Sequence, residues 1–222
     1  MQINGGTIAL GTSNVDLGGT LNVGSGQIVG IASLMAQAGA VLAGGSGLIE
    51  LSDDWSMLGT FDAGTGTVRF IDALTSTSNL RGSNAFHALS LISVIGKHIV
   101  LEPGSIQRIS QLLEIQGTAA QPIQIERLPG GAVANIDLAP PATQLISHVG
   151  VSNVYAIGEP LAPDLSNEGG SGNANGWFGA LPEPPLPLPA SSPFSLLILF
   201  FFMLLAVRFA RRRNSIENYR GS

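Results

Sequence analysis

All but one of the chain's 29 glycines fall within the first 180 of its 222 residues, a density more than twice the usual ~7%. Between them lie short alternating apolar pairs: Leu21 and Val23, Ile49 and Leu51, Val68 and Phe70, Leu89 and Leu91, Ile99 and Leu101. Leu113 and Ile115, Ile123 and Ile125, Ile136 and Leu138, and Val149 and Val151 continue the series. A period of two, bounded by glycine, asparagine, serine and proline, predicts strands of roughly three to five residues. Local units recur without a strict period: Gly6 to Gly11 (GTIALG) is echoed by Gly19 to Gly24 (GTLNVG). Glycine on either side of a short strand is what a chain needs if it turns a corner after each one.

Two closures satisfy such a pattern, a β-sandwich or a stack of parallel coils. Hairpin dipeptides are confined to Asn4-Gly5 and Asn175-Gly176, one at each end, and the first 102 residues contain no proline. Both observations favour strands that each donate to a neighbouring coil. The expected fold of residues 1–180 is therefore all-β, a right-handed parallel β-helix, with the sandwich as the alternative. Only residues 31–38 (IASLMAQA) have helical composition, and the segment is short for a helix.

Charge separates two regions. Positions 1–207 hold five basic and fourteen acidic residues, while positions 208–222 hold five arginines and one glutamate. An acidic body with dispersed cations is a poor partner for nucleic acid. The absence of cysteine excludes disulfides, thiolate metal sites and cysteine nucleophiles.

Residues 181–193 read as a proline-rich linker, six of the twelve from Pro182 to Pro193 being proline, a composition that favours extended polyproline II. Leu196 to Val207 are all apolar. As a helix, residues 194–210 would extend about 26 Å at ~1.5 Å per residue, at the short end of what spans a bilayer. Arg208, Arg211, Arg212 and Arg213 then read as a membrane stop, and residues 211–222 as a cytoplasmic tail. The expectation is a single-pass inner-membrane anchor with the body outside the cytoplasm, released to the surface if the chain is processed. The first residues carry no basic, apolar export signal, so the solenoid is expected to be the C-terminal part of a longer repeat region.

The layout of proline motif, apolar segment and terminal arginines resembles the tripartite PEP-CTERM sorting signals of Gram-negative surface proteins. The resemblance implies an exosortase-like processing protease as partner. Pro182, Glu183 and Pro184 match the motif, and Pro187, Leu188, Pro189 and Ala190 its proline and leucine variant; nine residues separate Pro184 from Phe194, where the family places the motif against the helix. Residues 188–192 more distantly resemble the LPxTG signal of sortases. Trp55, Gly59-Thr60-Phe61, Gly64 to Phe70 (GTGTVRF), Phe86, Leu89 and Leu91 are similar to repeats of adhesin-like bacterial surface proteins. That resemblance implies a structural or adhesive role, with surface glycans or extracellular polysaccharide as partners.

Residues for chemistry are sparse. Asp53, Asp54, Asp62 and Asp72, with Arg69 or Arg81 as the base, are the candidates for a polysaccharide-cleaving site on a membrane-anchored enzyme, but adjacent carboxylates on a strand point to opposite faces. Gly169 to Asn175, with Asp164 and Glu168 nearby, resembles the calcium-binding nonapeptide of secreted β-rolls, with asparagine where aspartate is needed. His87, His98 and His148 are far apart, and no GxSxG elbow or phosphate loop occurs. Trp177 and Phe178 read as a cap over the last coil, or as a sugar-stacking platform. The sequence thus predicts no catalytic, metal or cofactor site and a structural, adhesin-like protein.

Overall fold

Eight of the nine apolar pairs lie in strands that run parallel to the strand one coil earlier; of the ninth, Leu21 lies in a strand and Val23 just past its end. A computed structural model describes residues 1–73 and 75–179, and among them every strand pairing is parallel. The fold is an all-β right-handed parallel β-helix, as the glycine and proline pattern predicts.

One short face stacks β2 (Thr20–Asn22), β4 (Val41–Ala43) and β7 (Thr60–Asp62). A second climbs through β1 (Thr7–Leu17), β3 (Gln27–Ala36), β5 (Leu48–Leu51), β8 (Thr67–Phe70), β10 (Asn84–Ile92), β12 (Ile106–Gln116) and β15 (Thr143–Ser147). A third leaves the far end of β3 through β6 (Trp55–Met57), β9 (Thr77–Arg81), β11 (His98–Leu101), β13 (Ile123–Arg127) and β16 (Val149–Ser152). The near ends of β10 and β12 pair onward with β14 (Ala134–Leu138) and β17 (Val154–Gly158).

In-register stacking makes columns. Ile8, Ile28, Ile49, Val68, Leu89 and Leu113 stack one above another, as do Ile31, Leu51, Phe70, Leu91, Ile115 and Ile146. All eighteen residues of the predicted apolar pairs are buried. A second, polar ladder runs through the interior: Trp55 Nε1 donates to Asn84 Oδ1 at 3.0 Å, Asn84 Nδ2 to Gln107 Oε1 at 2.8 Å, and Gln107 Nε2 to the Gly82 carbonyl at 2.8 Å. Every amide here has a partner, which buried polar groups require.

Four strands are longer than the expected three to five residues, because a strand continues around a corner. β3 pairs with β5 over its first half and with β6 over its last. Gly30, at φ +72°, lies where the register with β5 shifts. The helical composition of residues 31–38 is therefore misleading: the segment is mostly strand, and its inward residues are Ile31, Leu34 and Ala36.

The expectation of a transmembrane anchor, and the inner-membrane location built on it, are corrected. No helix among the described residues is long and apolar enough to cross a membrane. The linker 181–193, the segment 194–210 with Arg208, and the tail 211–222 with Arg211, Arg212 and Arg213 lie outside the described residues, as do Pro182, Glu183, Pro184, Pro187, Leu188, Pro189 and Ala190 of the sorting motif.

The corners explain the glycines. Gly24, Gly45 and Gly64 stack in successive coils at φ +61°, +62° and +57°, and a Cβ on Gly45 would sit 2.2 Å from the Gly24 carbonyl oxygen. That oxygen accepts the Ser46 N–H at 2.7 Å, so it cannot retreat without breaking an inter-coil bond. Gly39 has φ +84° but open space around it. Gly39→Ala is expected to cost only the left-handed backbone penalty of about 1–2 kcal/mol, and Gly45→Ala clearly more, since it adds a backbone clash. Equal losses in urea-melt stability for the two variants would refute the stacked-corner account.

Candidate functional site

Three of the four aspartates singled out from sequence, Asp53, Asp54 and Asp72, come near one buried residue that has no local signature, Lys97, while Asp62 lies apart at the end of β7. Asp53 and Asp54 follow β5, Asp72 follows β8, and Lys97 precedes β11, so three successive coils bring them to one corner. Lys97 is only 1% exposed, and its Nζ donates to the Thr75 carbonyl at 3.1 Å. Burial holds its amine below the ordinary lysine value of 10.5, against the opposing influence of the Asp53, Asp72 and Asp54 carboxylates.

The carboxylates at this corner are engaged in holding the chain. Asp54 Oδ1 accepts the Asn79 backbone N–H at 2.8 Å and its side-chain amide at 2.9 Å, Asp72 Oδ2 accepts the Val94 N–H at 2.7 Å, and Asp53 accepts the Thr75 hydroxyl. Ser93 Oγ accepts the backbone N–H groups of Ile95 and Lys97 at 3.2 and 3.0 Å. The corner is an inter-coil clamp in which charge and hydrogen bonds stand in for the apolar columns. Lys97 was legible only as an isolated lysine, because nothing local in the sequence marks it as buried.

The remaining candidates are dispersed. Arg69 faces Glu50 at 3.6 Å, and Arg81 is exposed at the end of β9. His98 Nδ1 lies 2.8 Å from Glu126 and His148 Nδ1 3.1 Å from Glu168. Among the described residues no three histidine, aspartate or glutamate side chains converge as metal ligands.

The glycine-rich segment after Asp164 is an edge cover. Asn167 accepts the Val151 N–H at 2.7 Å and donates to its carbonyl at 2.9 Å, as a neighbouring strand would. Ser171 N–H donates to Ser152 Oγ, and Asn173 to Asn153 and Tyr155. Gly170 permits the approach, since a Cβ there would lie 2.3 Å from both Val151 N and O. Gln144, at the top of the column above Leu113, closes its end by donating to the Pro160 carbonyl and accepting the Ala162 N–H, each at 2.8 Å. Leu161 bridges to Trp177, which is 5% exposed and packs against Phe178 at 5.8 Å. An indole this buried offers no face to a sugar, so Trp177 acts as a cap.

Comparison with family models, with curated proteins and with solved structures returned no match. The class of protein the chain defines is that of its fold, a parallel β-solenoid.

Two outcomes are expected. Trp177→Ala should cost about 3–5 kcal/mol, as for other buried aromatics cut to alanine, and a Tm within a degree of wild type would contradict the cap. For Lys97, the folded chain releases its proton at a lower pH than the unfolded chain, which binds more protons in the interval up to 10.5. Wild type should accordingly gain stability relative to Lys97→Met as pH rises toward 10.5, measured by urea melts across alkaline pH; a flat or falling difference contradicts the burial of the charge.

Proposed function

We propose that this chain is a non-enzymatic structural or adhesive scaffold of the bacterial surface-protein type, exported and presenting polar coil edges to surface glycans or extracellular polysaccharide. The single observation that carries the reading is that three of the four candidate catalytic carboxylates are spent on the fold: Asp53, Asp54 and Asp72 each hold a chain segment of a following coil, while Asp62 lies apart from them on β7. A buried lysine beside them has no open face toward a polymer. The continuous columns supply a stiff support for whatever the turns display. The likeness of residues 55–91 to adhesin-like repeats supports the class. In this reading an exosortase-like protease acts on the motif Pro182 to Ala190, which rests on sequence resemblance.

The competing class is a polysaccharide lyase or glycosidase. A reducing-end assay over acidic and neutral polysaccharides is expected to show no turnover above buffer. Robust turnover abolished by Asp53→Asn or Asp54→Asn, with the fold retained, would overturn the scaffold reading.

A further inference from the structure

The short face β2–β4–β7 stops at β7. The next coil does not pair with it: the near end of β10 joins β12 instead. At this seam lies an open groove of about 360 Å³ between Phe61 and Asp62 on one side and Phe86, His87, Arg108 and Ile109 on the other. Its size matches the lower end of small-ligand sites, ~300–1,000 Å³.

The floor is apolar and built from stacked rungs. Phe61 is half-buried and packs edge-on to Trp55 at 5.0 Å, and its ring lies 5.6 Å from that of Phe86. Phe86 and Ile109, register partners in adjacent coils, are buried beneath it, so Phe61 is the aromatic face that a ligand can reach.

The rim is polar and nearly balanced in charge. Asp62 Oδ1 accepts the Gly64 N–H at 3.0 Å, which orients the carboxylate and leaves Oδ2 as an acceptor. Arg108, largely exposed, has its Nε 3.2 Å from Oδ2 of the partly buried Asp137. Among the described residues the terminal NH₂ groups of Arg108 have no acceptor. His87, half-exposed, lines the same groove. One cation set against two carboxylates repels a polyanion more than it attracts one. Donors and acceptors around an apolar floor suit a ligand with an apolar face and a rim of hydroxyls.

We infer that the seam is a binding site for a neutral saccharide, one or two pyranose rings lying on Phe61 with their hydroxyls held by Asp62 and Arg108. The inference rests on the adhesive reading above and names the ligand class that reading leaves open.

The test titrates the full chain by calorimetry with cellohexaose, mannohexaose and chitohexaose, and with the acidic hexamer of polygalacturonate. At least one neutral oligosaccharide is expected to bind, with Asp62→Asn and Arg108→Gln each weakening it tenfold or more at unchanged Tm. Both side chains are exposed, so these variants isolate the rim, and Phe61→Ala is a secondary probe because it also loosens the Trp55 cluster. No binding of any neutral oligomer, tighter binding of polygalacturonate, or affinity indifferent to both rim variants each overturns the inference. The scaffold reading fails separately, by release of reducing ends from the same oligomers.

Discussion

The structure depends on one distance, the ~4.8 Å between hydrogen-bonded strands, imposed at every coil. On the faces it is easily met, since side chains there stand off the sheet and similar residues stack on each other. At the corners the backbone itself stacks, and a carbonyl of one coil takes the space a Cβ of the next would need. The columns Gly24, Gly45, Gly64 and Gly26, Gly47, Gly66 follow from this: a Cβ on Gly47 would lie 2.2 Å from the Gly26 oxygen, and one on Gly66 2.7 Å from that of Gly47. Aliphatic columns supply the burial, and the glycines allow it to be repeated.

Where that repetition changes, the molecule acquires its distinctive features. Register partners are about twenty residues apart in the early coils, as for Ile28 and Ile49, and nearly thirty apart for Ile109 and Leu138. The longer coils take on the face carrying β14 and β17, and the break with β7 leaves the aromatic seam. The Lys97 corner has the same origin, since three coils with differently sized turns meet there around polar groups.

Much of this was legible in the chain. Period-two pairs located the core residues because a strand facing a filled interior must alternate, and scarce hairpin dipeptides pointed to parallel pairing. The bends were not legible: in β3 the inward residues Ile28, Ile31, Leu34 and Ala36 are spaced by three, three and two, because each corner resets which side of the chain faces inward, and spacings of three imitate a helix. Neither Lys97 nor the Phe61 groove had a local signature, each being assembled from residues some twenty or more apart that only the coil lengths bring together. The glycine and asparagine run after Asp164 showed its turn-forming composition but not its role, since residues that suit a loop also suit a segment lying flat on an exposed strand edge.

The ladder from Trp55 through Asn84 to Gln107 has a consequence for assembly. Isoleucine, leucine and valine columns tolerate exchange, so a coil added with its strand displaced by two residues would still bury aliphatic side chains. A ladder of amides has no such tolerance, because a displaced coil would face the Trp55 N–H or the Gln107 amide with hydrocarbon and leave it unpaired at a cost of ~1–3 kcal/mol each. The ladder therefore acts as a proofreading element for the three coils it joins, discriminating their correct phase from near-equivalents that the hydrophobic effect alone would accept.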